Sequence, residues 1–302
     1  MRFGLFGTGH WAAETHAAAL EAHPRAELAG VWGRNPDRAA ALADRYGVSA
    51  FEDVDSLVEA CDAVAVALPP DIQADIAVRA ATAGRHLLLD KPLALSVADA
   101  DRVVDAAIGA GVASVVFFTG RYQPEVAGFI AATAAAGGWH TANVIRYASI
   151  FQPGSPYAQS PWRREHGALW DIGPHALAAL LPVLGRVTRV AATDGPGGLV
   201  HLMLNHADGA TSTVSLTLDA PPRSVAAEFV LYGANGIERL PDGDADPATA
   251  LGVAIDQLLA EVDAGTRDHR CDVRFGREVV AVLAAAESAR EQGAVIEVTV
   301  RG

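Results

Sequence analysis

The chain has 302 residues, more than one hydrophobic core usually serves, so two domains are expected. Hydrophobic residues make up 51% and charged residues 20%, the balance of a well-buried globular α/β protein rather than a disordered one. A formal net charge of −13 argues against nucleic acid as a partner, and no uninterrupted run of 18 apolar residues suggests a membrane span.

The first residues lead straight into a strand, with no basic and apolar leader, so the expected location is cytoplasmic. Cys61 and Cys271 stand far apart without CxxC spacing, which predicts neither a disulfide framework nor a cysteine zinc site. The histidines lack ligand spacing such as H-E-x-x-H, and no metal is expected.

Phe3 to Phe6 is a short apolar run followed by Gly7, Thr8, Gly9, His10, Trp11 and Ala12, and then by helix-forming sequence over 13–23. Strand, tight turn and helix in that order give the G-x-G-x-x-G/A pattern a mechanism. Gly7 permits the sharp turn, Gly9 lets the backbone approach a pyrophosphate, and small Ala12 lets the helix pack close. The helix start then offers free N–H groups and a positive dipole end to the phosphates. An ordinary glycine-rich turn is the plainer alternative.

The alternation continues. Glu27 to Trp32 reads as a second strand, and Asn35 with Pro36 as an N-cap and first turn of a helix ending at Gly47. Ala63 to Leu68 is a continuous apolar run, as a strand buried on both faces should be. A helix over 71–83, a strand over 86–89, a helix opened by the Ser96/Asp99 capping spacing and a strand over 113–119 follow. This rhythm means a doubly wound parallel sheet over 1–119.

Past residue 120 the pattern changes. A helix near 124–135, a strand around 142–150, a Pro/Gly/Ser-rich loop and a helix near 169–184 precede strands over 188–193, 199–205, 211–218 and 225–232. Strands following strands predict a largely antiparallel open sheet in an α+β domain. Helices over 247–264 and 277–292 and a strand over 295–300 close the chain, placing residues 120–302 in the second domain.

An NAD site wants an acidic residue at the end of the second strand, for the ribose 2′-OH. Here Gly33 and Arg34 stand instead, with Arg38 one helical turn on. Guanidinium groups pair with a 2′-phosphate that a carboxylate would repel, so NADP(H) is the expected preference, with NAD(H) possible. Two solvated surface arginines are the plainer reading.

From Gly84, Arg85 and His86 the chain runs into Asp90, Lys91 and Pro92, and later carries Trp162 with Arg163 and then Asp171 with His175. With the glycine turn, this series resembles the glucose–fructose oxidoreductase/inositol dehydrogenase/MocA family over essentially the whole chain. The resemblance implies a Rossmann domain joined to an open-sheet α+β domain, and oxidation of a secondary alcohol or reduction of a carbonyl on a sugar or polyol. It matches the family's E-K-P motif to Asp90, Lys91 and Pro92, and its D-x-x-x-H to Asp171 and His175.

The chemistry makes physical sense of these residues. Removing a hydroxyl proton wants a base near working pH, which suits His175. Lys91, at a strand end of a parallel sheet, is placed to donate to the substrate oxygen and stabilise developing negative charge. Asp171 and His175 share one face if the segment is helical, so Asp171 either holds the imidazole or shares in proton transfer. The plainer readings are a surface lysine, a helix-capping Asp171 and a core His175.

Trp162 and Arg163 are further substrate candidates, with a loop salt bridge as the alternative for Arg163. Arg121 and Tyr122, just after a strand end, are candidates too. His10, Trp11, Leu68, Pro69 and Asp90 are expected to line the cofactor, and His16 to pack. Three departures stand out: Asp90 replaces the family's glutamate, Gln73 stands where relatives often carry histidine, and Ala179 replaces an acidic residue.

Rival functions are a glycosidase holding NAD tightly through a transient oxidation, a non-catalytic cofactor-binding regulator, and a methyltransferase. The last would want the acidic residue that Gly33 and Arg34 do not supply. The resemblance also implies a homodimer or homotetramer covering the open sheet. Thr211, Thr213 and Ser215 alternate with Ser212, Val214 and Leu216 in a pattern that does not decide which face is buried.

Overall fold

The computed structural model describes residues 1–243 and 246–301. Strand β1 (Arg2–Phe6) leads into a π-helical turn, Ala12–Ala17, that continues as α1 (Ala18–Ala22). There follow β2 (Glu27–Trp32), α2 (Pro36–Tyr46), β3 (Ser49–Ala50), α3 (Val54–Glu59) and β4 (Ala63–Val66). Next come α4 (Pro70–Thr82), β5 (His86–Asp90), α5 (Val97–Ala110) and β6 (Ser114–Phe117). The six strands pair in the order β3-β2-β1-β4-β5-β6, every pair parallel. The order reverses between β1 and β4, and ligands of such sheets bind beyond the carboxyl ends of strands at that switch point.

Local chemistry starts and stops these elements. Asn35 Oδ1 accepts the Arg38 N–H at 3.0 Å to open α2, and Gly47 closes it at φ 65. Ser96 Oγ accepts the Asp99 N–H at 3.0 Å, while its own hydroxyl donates to the Asp99 carboxylate at 2.7 Å. A capping box normally sends the second side chain back to the N-cap N–H. Asp99 is too short for that reach and takes the hydroxyl. Ala63 to Val66 and Leu87 to Leu89 are fully buried, as strands covered by helices on both faces must be. The short β3 and α3 carry too few residues for periodicity to reveal them.

The remaining elements are α6 (Pro124–Ala136), β7 (Trp139–Tyr147), α7 (Pro161–Asp171), α8 (Gly173–Leu184), β8 (Val187–Gly195), β9 (Leu199–His206) and β10 (Thr211–Thr217). They end with β11 (Ala226–Gly233), β12 (Gly236–Arg239), α9 (Pro247–Ala264), α10 (Val273–Gln292) and β13 (Ile296–Glu297). The second sheet runs β12-β11-β7-β10-β9-β8-β13 and is antiparallel except for the parallel pair β7–β10. The fold is thus a Rossmann-like parallel sheet plus a mixed, mostly antiparallel one. On β10 the buried face carries Ser212, Val214 and Leu216, and Thr211 and Thr213 are exposed.

Two compact units emerge, one holding residues 1–122 with 246–277, the other 123–243 with 278–301. This corrects the expectation that everything beyond 119 lies in the second domain. Helix α9 packs on β6 and on the helical segment 12–22, burying Ala250, Leu251, Ala254, Ile255, Leu258 and Leu259. His23 Nε2 meets Asp256 at 3.0 Å and Arg25 meets Asp263 at 2.7 Å across that seam. An apolar stripe says that a helix packs, but not on what.

Among the described residues, one helical stretch, Pro161–Leu184, is long and apolar enough to cross a membrane. It is broken by Gly167 at φ 64 and by the α7/α8 junction, and 72% of its apolar window is buried in the protein. It reads as core of the second unit. Cys61 and Cys271 are both free and buried.

Candidate active site

The glycine turn is built by close backbone approach. Gly7 adopts φ 136, and a Cβ there would collide with the Ala67 carbonyl oxygen and meet the Ala12 Cβ at 3.3 Å. No other residue fits that conformation and that gap. The Ala13 N–H bonds to the Gly9 carbonyl at 3.0 Å, so helical winding begins directly on Gly9, where a Cβ would meet nothing within 4 Å. The turn is closed toward the sheet and open on its outer side. Those are the requirements for backbone N–H groups to face a pyrophosphate.

At the end of β2, Gly33 is buried, and a Cβ on it would lie 2.5 Å from Thr8 Cγ2. Thr8 therefore fills the space a larger residue at 33 would need. Arg34 and Arg38 are exposed, and among the described residues no hydrogen bond or ion pair engages either guanidinium. His10 is exposed, Trp11 is half-buried and stacks on Phe117 at 6.5 Å, and Leu68 and Pro69 are half-buried where β4 gives way to α4.

Beyond the end of β5 the chain carries Lys91, the only lysine in the sequence, with arginine at every other basic Lys/Arg position. The Lys91–Pro92 peptide is cis. Asp90 Oδ1 accepts the Lys91 backbone N–H at 2.7 Å, and Asp90 Oδ2 lies 3.7 Å from His16 Nε2. His16 is fully buried and edge-on to Phe117, and among the described residues neither ring nitrogen has a hydrogen bond. It packs, as expected, but against Asp90 as well as apolar rings. Gln73, noted in the sequence only as a missing histidine, is 1% exposed and bonds the backbone on both sides of Lys91.

In the second unit, Asp171 closes α7 and His175 lies in the first turn of α8, its N–H bonded to the Ile172 carbonyl at 3.2 Å. The N-cap position of α8 is Ile172, not Asp171. The Asp171 carboxylate is buried and accepts the Arg163 Nε–H at 2.9 Å. Arg163 also donates to Ser160 Oγ at 3.3 Å and lies over the rings of Tyr157 and Trp162, at 4.4 and 4.6 Å from their centroids. The tryptophan–arginine pair is thus a stacked platform that orients Asp171. His175 is half-buried.

Arg121 and Tyr122, candidates for substrate contact in the sequence, are both buried. Tyr122 is 1% exposed, donates its hydroxyl to the Val116 carbonyl at 3.0 Å and stacks on His269. Burial drives its phenol pKa well above the ordinary value, so it stays neutral. Arg121 is 5% exposed, its guanidinium over the Phe275 ring. Both belong to the interior of the first unit, because the chain after β6 turns inward through a short 3-10 helix, Thr119–Tyr122. Among the described residues no group of three His, Cys, Asp or Glu side chains is arranged to hold a metal ion.

Comparison with known proteins matches residues 1–118 to the model of an oxidoreductase family with an NAD-binding Rossmann fold, and residues 142–238 to the GFO/IDH/MocA C-terminal domain. The chain is 28% identical over 299 residues to a D-xylose 1-dehydrogenase (NADP(+)) of Haloferax volcanii, covering 92% of this chain and 89% of that protein. Among solved structures it resembles GenD2 from gentamicin A biosynthesis in complex with NAD, at TM-score 0.85 and 22% identity over 99% of this chain and 97% of the other. It also resembles levoglucosan dehydrogenase in complex with NADH and levoglucosan, at TM-score 0.83 and 20% identity over 99% of each chain. At that level of identity the structural likenesses speak to fold.

Proposed function

From the premise that this chain belongs to the GFO/IDH/MocA family of NAD(P)-dependent sugar and polyol oxidoreductases, we propose that it interconverts a secondary alcohol and a ketone with NADP(H) preferred. The observation that carries this reading is Lys91. A chain that meets every other Lys/Arg need with arginine keeps one ammonium, at the carboxyl edge of a parallel sheet. A guanidinium does not give up its proton in proteins, whereas an ammonium is a compact donor able to take part in proton transfer.

The residues present fit a dinucleotide. The turn from Gly7 to Ala12 would hold the pyrophosphate, and Arg34 with Arg38, exposed at the end of β2 and the start of α2, would hold the 2′-phosphate. When bound, the nicotinamide supplies the hydride acceptor or donor. Lys91 donates to the substrate oxygen and stabilises its developing negative charge. His175 takes the hydroxyl proton in oxidation and returns it in reduction. Asp171, ion-paired to Arg163, serves as an acceptor that orients the imidazole.

The test is a panel of aldoses, inositols and keto-sugars, D-xylose first, with NADP⁺, NAD⁺ and their reduced forms, followed at the absorbance of the reduced nicotinamide. Turnover of a sugar or polyol with the lower KM for NADP⁺ is expected. No turnover across the panel overturns the activity, and equal affinity for NAD⁺ overturns the preference. Lys91→Met and His175→Ala should each lower kcat by about 10²–10⁴-fold, with cofactor affinity little changed.

The proposed assembly is a homodimer or homotetramer through the open face of the second sheet. Asn143, Thr213 and Met203 form one exposed row across β7, β10 and β9, with Met203 at 56% exposure. Light scattering at micromolar concentration should find more than one copy; a monomer rejects the assembly.

A further inference from the structure

The pairing of β4 with β5 ends at Val66 and Leu89. Backbone groups along β5 alternate in direction: the His86 N–H reaches Asp62 on the β4 side at 3.1 Å, and the Leu87 N–H reaches Ala113 on the β6 side at 2.9 Å. By that alternation Asp90 turns its N–H and C=O toward a strand that has just ended. The side chain of Gln73, in the first turns of α4, takes the strand's place. Its Oε1 accepts the Asp90 N–H at 2.8 Å and its Nε2 donates to the Asp90 carbonyl at 2.7 Å. The same nitrogen reaches the Pro92 and Leu93 carbonyls at 3.0 and 3.3 Å.

One planar amide therefore completes the ladder at the residue before Lys91 and holds two carbonyls after it. Lys91 is the residue in between. Its own N–H is taken by the Asp90 carboxylate, so the backbone from which its side chain springs is fixed on both sides. An apolar side chain of the same length would leave an N–H and up to three carbonyls buried without partners. We propose that Gln73 is a positioning residue whose amide sets the direction of the Lys91 ammonium. Its consequence for turnover rests on the functional reading given above, and its structural part does not.

Lys91 being the only lysine makes the test direct. Reductive methylation of the intact protein with ¹³C-formaldehyde gives a single lysine dimethyl resonance, distinct from that of the Met1 amine. In Gln73→Met this resonance should shift or broaden relative to wild type. With the panel sugar that wild type turns over, kcat should fall by about 10- to 100-fold while the affinity for NADP⁺ stays within about twofold. Gln73→Glu keeps the oxygen for the Asp90 N–H and nearly the same shape but loses the amide donors. It should move both readouts in the same direction by less, and it carries the test if Gln73→Met does not fold.

In a Lys91→Met background, Gln73→Met should lower kcat no further. A Gln73 variant whose lysine resonance coincides with that of wild type overturns the proposal, whatever its activity. Loss of turnover in Lys91→Met with full turnover in both Gln73 variants also overturns it. Full turnover in Lys91→Met would instead sink the role assigned to Lys91, leaving the resonance to judge the clamp.

Discussion

At the residue scale, the arginines differ in what already engages them. Arg34 and Arg38 are exposed, and among the described residues no hydrogen bond or ion pair engages either guanidinium. Arg163 is committed to Asp171 and to two aromatic faces. Replacing Arg34 by Ala should raise the Kd for NADP⁺ by about tenfold, one charge-assisted contact, and leave that for NAD⁺ nearly unchanged; equal weakening of both would reject the 2′-phosphate role. Arg163→Met should lower kcat while sparing cofactor affinity, since it removes the ion pair to the Asp171 carboxylate and touches no group proposed to hold the nucleotide. The glycine turn was legible in the sequence, and Lys91, Asp171 and His175 were candidates there because their types and spacing fit the proposed chemistry. Gln73 was not: an amide declares its role only when the four backbone groups it touches are in place. The inward course of Arg121 and Tyr122 was not legible either, since a strand end in sequence does not say which way the chain turns next.

At the element scale, periodicity exposed the long helices and the buried strands, and left open which face of a strand with inward polar residues is buried. On β10, Ser212 faces the interior because His206 Nε2 meets its hydroxyl at 2.9 Å, while His206 Nδ1 meets the Gly185 carbonyl at 2.8 Å. Burial lowers the His206 pKa, in keeping with a neutral ring. This pair is what hid the inward face of the strand. Ser212→Ala leaves the ring nitrogen unpaired and should destabilise by about 1–3 kcal/mol, read as a lower midpoint in thermal unfolding; an unchanged midpoint would show that the bond contributes nothing net. The first helix differs from expectation too. Thr15, His16 and Ala17 are all buried, more than a single apolar stripe provides, because that segment packs on β1 on one side and α9 on another. Nothing in the packing accounts for its π-helical winding.

At the scale of the whole molecule, acid should unfold this protein through its histidines. His269 lies in the first unit, with Nε2 2.8 Å from Gln257 Oε1 and Nδ1 accepting the Cys271 N–H at 3.1 Å. Burial, and next the charge of Arg270, lower its pKa from 6.5 to about 4. His86 and His206 are lowered as well, in both cases first by burial. Between the ordinary value and the lowered one, the unfolded chain binds a proton that the folded chain does not. Stability from these groups is therefore full above about pH 6.5 and declines as pH falls toward about 4. Thermal midpoints followed from about pH 7 to about pH 4.5 should fall, and less steeply for His269→Gln; parallel curves would show that His269 does not contribute.

The sequence by itself determined the parallel sheet, the mostly antiparallel one, the glycine turn and the lone lysine beside proline. Each depends on local geometry or on a residue type with one chemical use. Tertiary structure alone decided that α9 joins the first unit, that Arg163 is committed to Asp171, and that Thr8 fills the space Gly33 leaves. It also placed the Gln73 amide where a strand runs out. These are contacts between distant parts of the chain, set by which surfaces were left to bury and which backbone groups were left to satisfy, and no local pattern records them.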